Sequence, residues 1–299
     1  MLHLPLARAQ LDRKAELRSD SLALQKLELS AIFYKFYDGN FFVTDGRLAK
    51  FAFADKPTGE HETYFLGVDS SGAGHFLWNQ ADSPSEDLRL SSLREIAGGL
   101  SAEEIGIAVQ GQGLALWHNS HPRCARCGKE TKSCDGGYLR RCDEGHPHHP
   151  RTDPAVIVLV KDRHDRILLG HQASWDEGRF STFAGFVEPG ESFEAAVIRE
   201  VQEEAGVLVS ELIYLGSQPW PFPASVMIAF EAITDNPDHA VADGTEITDI
   251  GWWSRDSLKA DIDQGKLRLP PFVSVARAMI NRWYGPNHRE DLRSKDSWR

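Results

Sequence analysis

Gly185-Phe186-Val187-Glu188-Pro189-Gly190-Glu191 leads, after seven residues, into Arg199-Glu200-Val201-Gln202-Glu203-Glu204-Ala205-Gly206-Val207. A helix is expected from about Ser192 to Ala205, with Gly206 as its left-handed stop. At about 100° per residue, Glu204 lies about 40° to one side of Glu200, and Glu203 about 60° to the other. Three carboxylates then crowd one arc of a helix surface. Like charges at this spacing cost a few tenths of a kcal/mol each, roughly, even in water. They also sit at the helix C-terminal end, where the macrodipole disfavours anions. A bound cation resolves both conflicts. Hard oxygen ligands select Mg²⁺ or Mn²⁺, ions that position phosphate groups and acidify a bound water. Arg199, eight positions after Glu191, is placed to fold back on a carboxylate and orient its neighbours. The bland alternative is a solvated acidic helix end.

The full pattern decides between them. Written G-x5-E-x7-R-E-U-x-E-E-x-G-U, with U aliphatic, every fixed position from Gly185 to Val207 is filled. The stretch resembles the Nudix box without a departure. The resemblance implies a Nudix α/β/α sandwich that hydrolyses a nucleoside diphosphate linked to another moiety. Glu200, Glu203 and Glu204 would be metal ligands or water activators, with Glu204 the closest to a base and Glu203 its alternative.

Downstream, Ser217-Gln218-Pro219-Trp220-Pro221-Phe222-Pro223-Ala224-Ser225 sets aromatics between alternating prolines. Proline fixes φ, so an extended, rigid segment is expected, with Trp220 and Phe222 suited to walling a flat base. On composition alone a proline-rich crossover loop packed on the core is the commoner reading. The string itself is similar to the signature of the NADH pyrophosphatase (NudC-like) branch of the Nudix family. That resemblance covers roughly residues 90–285 and implies the following roles. The Ala184 carbonyl contacts metal, and Glu246 is a remote metal ligand. Phe186 stacks on the nicotinamide side. Ser217, Gln218, Trp220, Phe222 and Ser225 form the substrate loop, Ala276 supplies a backbone contact, and Arg94 is a substrate contact from the N-terminal domain.

Four cysteines fall between Cys124 and Cys142. Such clustering reads as a metal site before it reads as disulfides. Cys124-x2-Cys127 is a zinc knuckle, and Cys142 follows. The branch carries Cys-x2-Cys twice, but position 145 here is Gly. His146 or Cys134, and behind them His148 or His149, are the candidates for a fourth ligand of tetrahedral Zn²⁺. A lineage that has lost zinc and keeps the loop by packing is the alternative. His149 also stands where the branch has an aromatic residue.

Around these motifs, 299 residues suggest two domains and a small module. The expected division is an N-terminal α/β domain over 1–118, a zinc-ribbon-like module over 119–150, the Nudix domain over 151–285 and a loose polar tail over 286–299. The fold class is α+β. Strands are expected at Ile32–Tyr37, Phe41–Val43, Lys50–Ala54, Tyr64–Val68, His75–Trp78, Ala155–Val160, Ile167–Gly170, Val226–Ala232 and Ile247–Trp253. Helices are expected near Ser91–Gly98, from Ser101 with its capping box, and over Val273–Trp283. A formal charge of −11 argues against a general nucleic-acid surface. No apolar run of 18 residues exists, so no membrane span is expected. Residues 1–20 lack the pattern of a signal peptide, so a cytoplasmic location is expected.

The expected activity is hydrolysis of NADH or NAD to nicotinamide mononucleotide and AMP. NAD-capped RNA is a second substrate implied by the branch, and a homodimer its implied assembly. The rival enzyme is a Nudix hydrolase of ADP-ribose or another dinucleotide. The rival of another class is a zinc-ribbon nucleic-acid-binding protein with an inactive Nudix domain. No residue named here reads the redox state of nicotinamide, or chooses between Mg²⁺ and Mn²⁺.

Overall fold

A computed structural model describes residues 2, 4–8, 10–82 and 88–293. The chain divides into two compact units. One holds residues 8–152 with 220–224, and the other holds 1–7, 153–219 and 225–299. The first seven residues therefore group with the C-terminal half. The cysteine-rich stretch shares a unit with the N-terminal strands.

In the first unit, β1 (Ile32–Tyr37), β2 (Asn40–Thr44), β3 (Arg47–Leu48), β4 (His61–Val68), β5 (Gly74–Gln80) and β6 (Arg89–Ser92) form one sheet. Its order is β3-β2-β1-β5-β4, with β6 on β2. Helix α1 (Ser21–Glu28), the short α2 (Leu93–Ile96) and α3 (Ala102–Ser120) accompany it. Ser92 with Glu95, and Ser101 with Glu104, close capping boxes at the starts of α2 and α3. The strand expected over Lys50–Ala54 is reduced to one bridge, Phe33 with Phe51, before a 3-10 turn at Phe53–Asp55.

A three-stranded sheet, β7 (Thr131–Cys134), β8 (Leu139–Cys142) and β9 (Pro147–His148), carries the cysteines. A buried polar network ties it to the first sheet. Glu62 accepts from Tyr64 Oη (2.7 Å) and Arg140 Nη1 (3.1 Å), and His118 Nε2 donates to the Gly137 carbonyl (2.9 Å).

The second unit is organised by β10 (Asp153–Asp162). Its apolar run is buried on both faces, as a central strand requires. Val156, Val158 and Val160 pack with Val197, Val201 and Ala205 of α4 (Phe193–Ala205). Ile157 and Leu159 face the other way, onto Leu258 of α5 (Arg255–Asp263) and Met279, Ile280 and Trp283 of α6 (Val275–Tyr284). The expected α/β/α sandwich follows from this period of two. β14 (Ser225–Thr234) runs parallel along one edge of β10. The other edge is shared: β11 (Ile167–Gln172) pairs at Val160 and Lys161, and β12 (Phe183–Phe186) pairs over Ala155–Val158. β13 (Ser210–Trp220) and β15 (Ile247–Trp253) complete the sheet.

Two stretches differ from the sequence reading. Ser217–Trp220 is the end of β13, and the chain then turns over Pro221–Ala224, so the proline segment is extended only in its first half. β13 is an outer strand of this sheet, where a proline's missing N–H is tolerated. The segment after Gly285, expected to be loose, forms the short α7 (His288–Asp291) and buries Leu292 completely. Arg277 Nη2 donates to the Leu292 carbonyl at 2.6 Å. The remainder of that expected tail, 294–299, lies outside the described residues.

The N-terminal segment is stitched into the second unit. Leu2 N–H donates to the Leu215 carbonyl (2.9 Å), Leu6 N–H donates to Gln218 Oε1 (2.9 Å), and Leu4 joins the core. Among the described residues no helix is long and apolar enough to cross a membrane.

Candidate functional site

Helix α4 starts where Ser192 accepts from the Ala195 N–H (3.2 Å), and stops where Gly206, at φ 69°, donates to the Gln202 carbonyl (3.0 Å). Its apolar stripe is committed to β10, which fixes where the carboxylates point. They are not equivalent. Glu204 is 6% exposed, and the Glu200 side chain 13%, whereas the Glu203 side chain is 60% exposed. The helical wheel places all three on one arc. Packing then turns Glu204 and Glu200 inward and leaves Glu203 toward solvent.

Arg199 organises this end of the helix. Its Nε and Nη2 grip Glu191 Oε1 and Oε2 at 2.7 and 2.8 Å, and Nη1 donates to Glu200 Oε1 (2.8 Å) and Glu203 Oε2 (3.0 Å). Nη2 also donates to the Phe186 carbonyl (3.0 Å). The bidentate fork is the geometry only arginine offers. It pulls the Glu191 carboxyl down to about 2, helped by the Glu188 N–H.

Across from the helix, Gly185 on β12 has the Glu200 carboxylate against its Cα. A Cβ built at Gly185 would lie 2.0 Å from Glu200 Cδ and Oε1. Glycine is required here for close approach rather than for its dihedral freedom.

The divided edge of β10 leaves a cleft between β11 and β12. Gln172, Trp175, Thr182, Ala184, Glu204 and Glu246 are among the residues around a cavity of about 180 Å³. Gln172 Nε2 donates to Glu246 Oε1 at 3.0 Å. Glu204 meets the Ala184 N–H, yet its Oε2 is buried without a partner. Burial first, then the charges of Glu200 and Glu246, push the Glu204 carboxyl up to about 8. Burial also raises Glu200, against the pull of Arg199. A buried carboxylate oxygen without a partner, under the charges of two further carboxylates, is a place where a divalent cation would relieve the repulsion. Ala184, Glu204 and Glu246 line this one cleft, and Glu200 acts on Glu204 through its charge. Phe186, at the end of β12, is 60% exposed.

The remaining expected contacts are distributed differently. Gln218 is fully buried. Its side-chain amide accepts from Leu6 N–H and donates to the Val273 carbonyl (3.0 Å), so that side chain holds the N-terminal segment. Ser217 is exposed, Ser225 is 9% exposed, and Ala276 is buried in the first turn of α6, whose N–H groups helix bonds leave unused. Arg94, Trp220 and Phe222 cluster within the other unit. The two rings meet edge to face at 4.9 Å, and the Arg94 guanidinium lies 4.0 Å over Phe222. Gln112 Nε2 donates to the Pro221 carbonyl there, at 2.6 Å.

In the cysteine module, single ligand atoms of Cys124, Cys127, Cys142 and His146 all lie within 4.8 Å of one another. The Cys127–Cys142 sulfur distance is 3.8 Å, and Cys124 Sγ to His146 Nδ1 is 3.5 Å. A tetrahedron with metal–sulfur bonds of about 2.3 Å and metal–nitrogen bonds of about 2.05 Å has edges of about 3.8 and 3.5 Å. The residues fit such an ion. Gly128, at φ 73°, follows the Cys124–Cys127 pair, and Gly145, at φ 81°, stands where a second pair would have its other cysteine, directly before His146. Cys134 donates instead to the Leu139 carbonyl (3.5 Å), and His149 is exposed. His148 Nε2 sits 3.1 Å from Cys124 Sγ, where it can donate to a thiolate.

Sequence reasoning missed Gln172 and Asp243. The signal for the second was the turn Asp243-Gly244 just ahead of Glu246.

Comparisons agree with this geometry. The NUDIX domain family model matches residues 151–273. A Mycobacterium bovis protein named NAD-capped RNA hydrolase NudC is 38% identical over 299 positions, covering 93% of this chain and 94% of its own. A Mycobacterium tuberculosis protein of the same name is 37% identical over the same shares. A human protein named NAD-capped RNA hydrolase NUDT12 is 36% identical over 197 positions, 62% of this chain and 42% of its own.

Proposed function

The chain belongs to the Nudix hydrolase family, NudC-like branch, and from that premise we propose that it cleaves the pyrophosphate of NADH or NAD to nicotinamide mononucleotide and AMP. We propose the same cleavage for NAD caps on RNA 5′ ends. The observation that carries the reading is the buried, partnerless Glu204 oxygen beside Glu200 and Glu246 at the cleft. Glu200, Glu203, Glu204 and Glu246, with the Ala184 carbonyl, would hold Mg²⁺ or Mn²⁺. Such ions, when bound, neutralise the diphosphate and lower the pKa of an attacking water.

The chain's own residues do the rest. Arg199 holds Glu200 and Glu203 in register. Glu204 accepts the proton of the water that attacks phosphorus, and burial keeps bulk water from competing for it. The bond from that phosphorus to the bridging oxygen breaks, and the two mononucleotides leave. Product analysis on NADH, NAD, ADP-ribose and NAD-capped RNA, with Mg²⁺ and Mn²⁺ separately, tests the proposal. Preferred turnover of ADP-ribose would favour the rival Nudix activity. RNA binding without turnover would favour the binding-protein reading, against which the complete glutamate set argues.

Phe186→Ala separates base recognition from diphosphate chemistry. The exposed ring is placed on a backbone pinned by Arg199. Stacking on a base contributes roughly 1–3 kcal/mol, so NADH and NAD turnover should fall about 5- to 150-fold. ADP-ribose lacks that base and should lose far less. Equal losses on both substrates would make Phe186 a packing residue.

The module's ion is proposed to be Zn²⁺. Metal analysis should find one zinc per chain, and His146→Ala should lower both zinc content and melting temperature, since structural zinc contributes folding energy directly. Cys134→Ser should change neither. Full zinc retention in His146→Ala would assign the fourth position elsewhere, with His148 next in distance. The homodimer implied by the resemblance is likewise a proposal, and light scattering on the full chain tests it.

A further inference from the structure

Glu246 reaches the cleft from the turn before β15, and that turn is built around one carboxylate. Asp243 Oδ1 accepts the N–H groups of Thr245 (2.8 Å) and Ile247 (2.9 Å), and Oδ2 accepts that of Glu246 (3.4 Å). Gly244, at φ 77°, donates to the Ile247 carbonyl (2.9 Å) and closes the loop. Ile247 is 6% exposed, which anchors the turn in the core. The other polar groups of Glu246 are taken by the end of β11. Ala173 N–H donates to its carbonyl (3.0 Å), and Gln172 Nε2 donates to its Oε1 (3.0 Å).

An exposed glutamate facing Glu204 has every reason to swing away. Its charge is repelled, and the chain entropy of a long side chain favours solvent. Here its N–H, its carbonyl and its carboxylate are each held by a different partner. A turn that needed only local stability would not require the bond from Gln172, which comes from another strand.

We infer that Asp243 and Gln172 are positioning residues that act through Glu246, holding its carboxylate at the cleft for a divalent cation. The inference rests on the proposed role of Glu246 as a metal ligand.

The test is Mn²⁺ binding to the full-length protein, followed by electron paramagnetic resonance and by the melting shift on adding Mn²⁺. Outer partners of metal ligands change affinity about 10- to 100-fold, so Asp243→Ala and Gln172→Leu are each expected to weaken Mn²⁺ about 10-fold. Asp243→Asn should recover most of the loss, because its amide oxygen accepts the same two N–H groups. In a Glu246→Gln background, Asp243→Ala should add nothing further, since coupled residues are not additive. If Glu246→Gln weakens Mn²⁺ while Asp243→Ala leaves it intact and lowers only the melting temperature, the inference fails alone. An additive loss in the double variant overturns it as well. Unchanged Mn²⁺ binding in Glu246→Gln overturns both the role of Glu246 and the inference built on it.

Discussion

Glu204→Gln is expected to lower kcat by about 10³-fold, within the 10²- to 10⁴-fold range of general-base catalysis, while raising the melting temperature of the chelator-treated protein. The two effects have one cause. Glu204 is buried with an unpartnered oxygen, and its carboxyl is raised from 4.5 to about 8 in the folded chain. The sign follows from proton binding. Between 4.5 and about 8 the folded state holds a proton that the unfolded state has released, so stability falls as pH rises through this window. Below 4.5 both states are protonated and the cost vanishes. Above about 8 it is fully present, on the order of a few kcal/mol. Thermal unfolding in chelator should therefore show a declining melting temperature from pH 5 to pH 8.5, and Glu204→Gln should flatten that decline. Mg²⁺ or Mn²⁺ should flatten it in the native protein and restore the activity that chelator removes. A Gln variant that melts lower than the parent at pH 8.5 would show that the carboxylate is structural.

Gly185→Ala is expected to cost about 10²-fold in kcat, the loss that a displacement near 1 Å produces at a reacting centre. The added methyl collides with the Glu200 carboxylate rather than with backbone. The far end of a glutamate can yield, so the fold should survive with a small change in melting temperature. What yields, however, is the carboxylate that Arg199 holds in place. Combining Gly185→Ala with Glu200→Ala should be no worse than Glu200→Ala alone. Native turnover in Gly185→Ala would mean that Glu200 acts at a distance from β12, and the account of this contact would fall.

The sequence carried the helix of the candidate site almost completely. Its cap at Ser192, its stop at Gly206 and its acidic arc are all local patterns, and local patterns survive folding. The central strand was readable for the same reason, since its apolar run sits on both faces of one sheet. The inequality of the three glutamates was not readable. Exposure of 6% at Glu204 and 60% at the Glu203 side chain depends on what lies opposite the helix, which no spacing rule contains. Gln218 shows the same limit. Its side-chain partners, Leu6 and Val273, are far away in sequence, and no local pattern names them. His146 could be named as one candidate among several, whereas the fold brings its ring to the cysteines and leaves Cys134 on the Leu139 carbonyl.

The bond from Leu6 to Gln218 spans 212 residues. On a ribosome moving at roughly 5–20 residues per second, that separation is a delay of roughly 10–40 s. For this time Leu2, Leu4 and Leu6 are outside the channel with no core to enter. The catalytic half cannot finish assembling as it is made, because one of its own segments was delivered first. A chain restarted at residue 153 would leave the Gln218 side-chain amide oxygen without the Leu6 donor and open a gap beside Leu215, so an isolated Nudix half should need residues 2–7 supplied as a separate peptide.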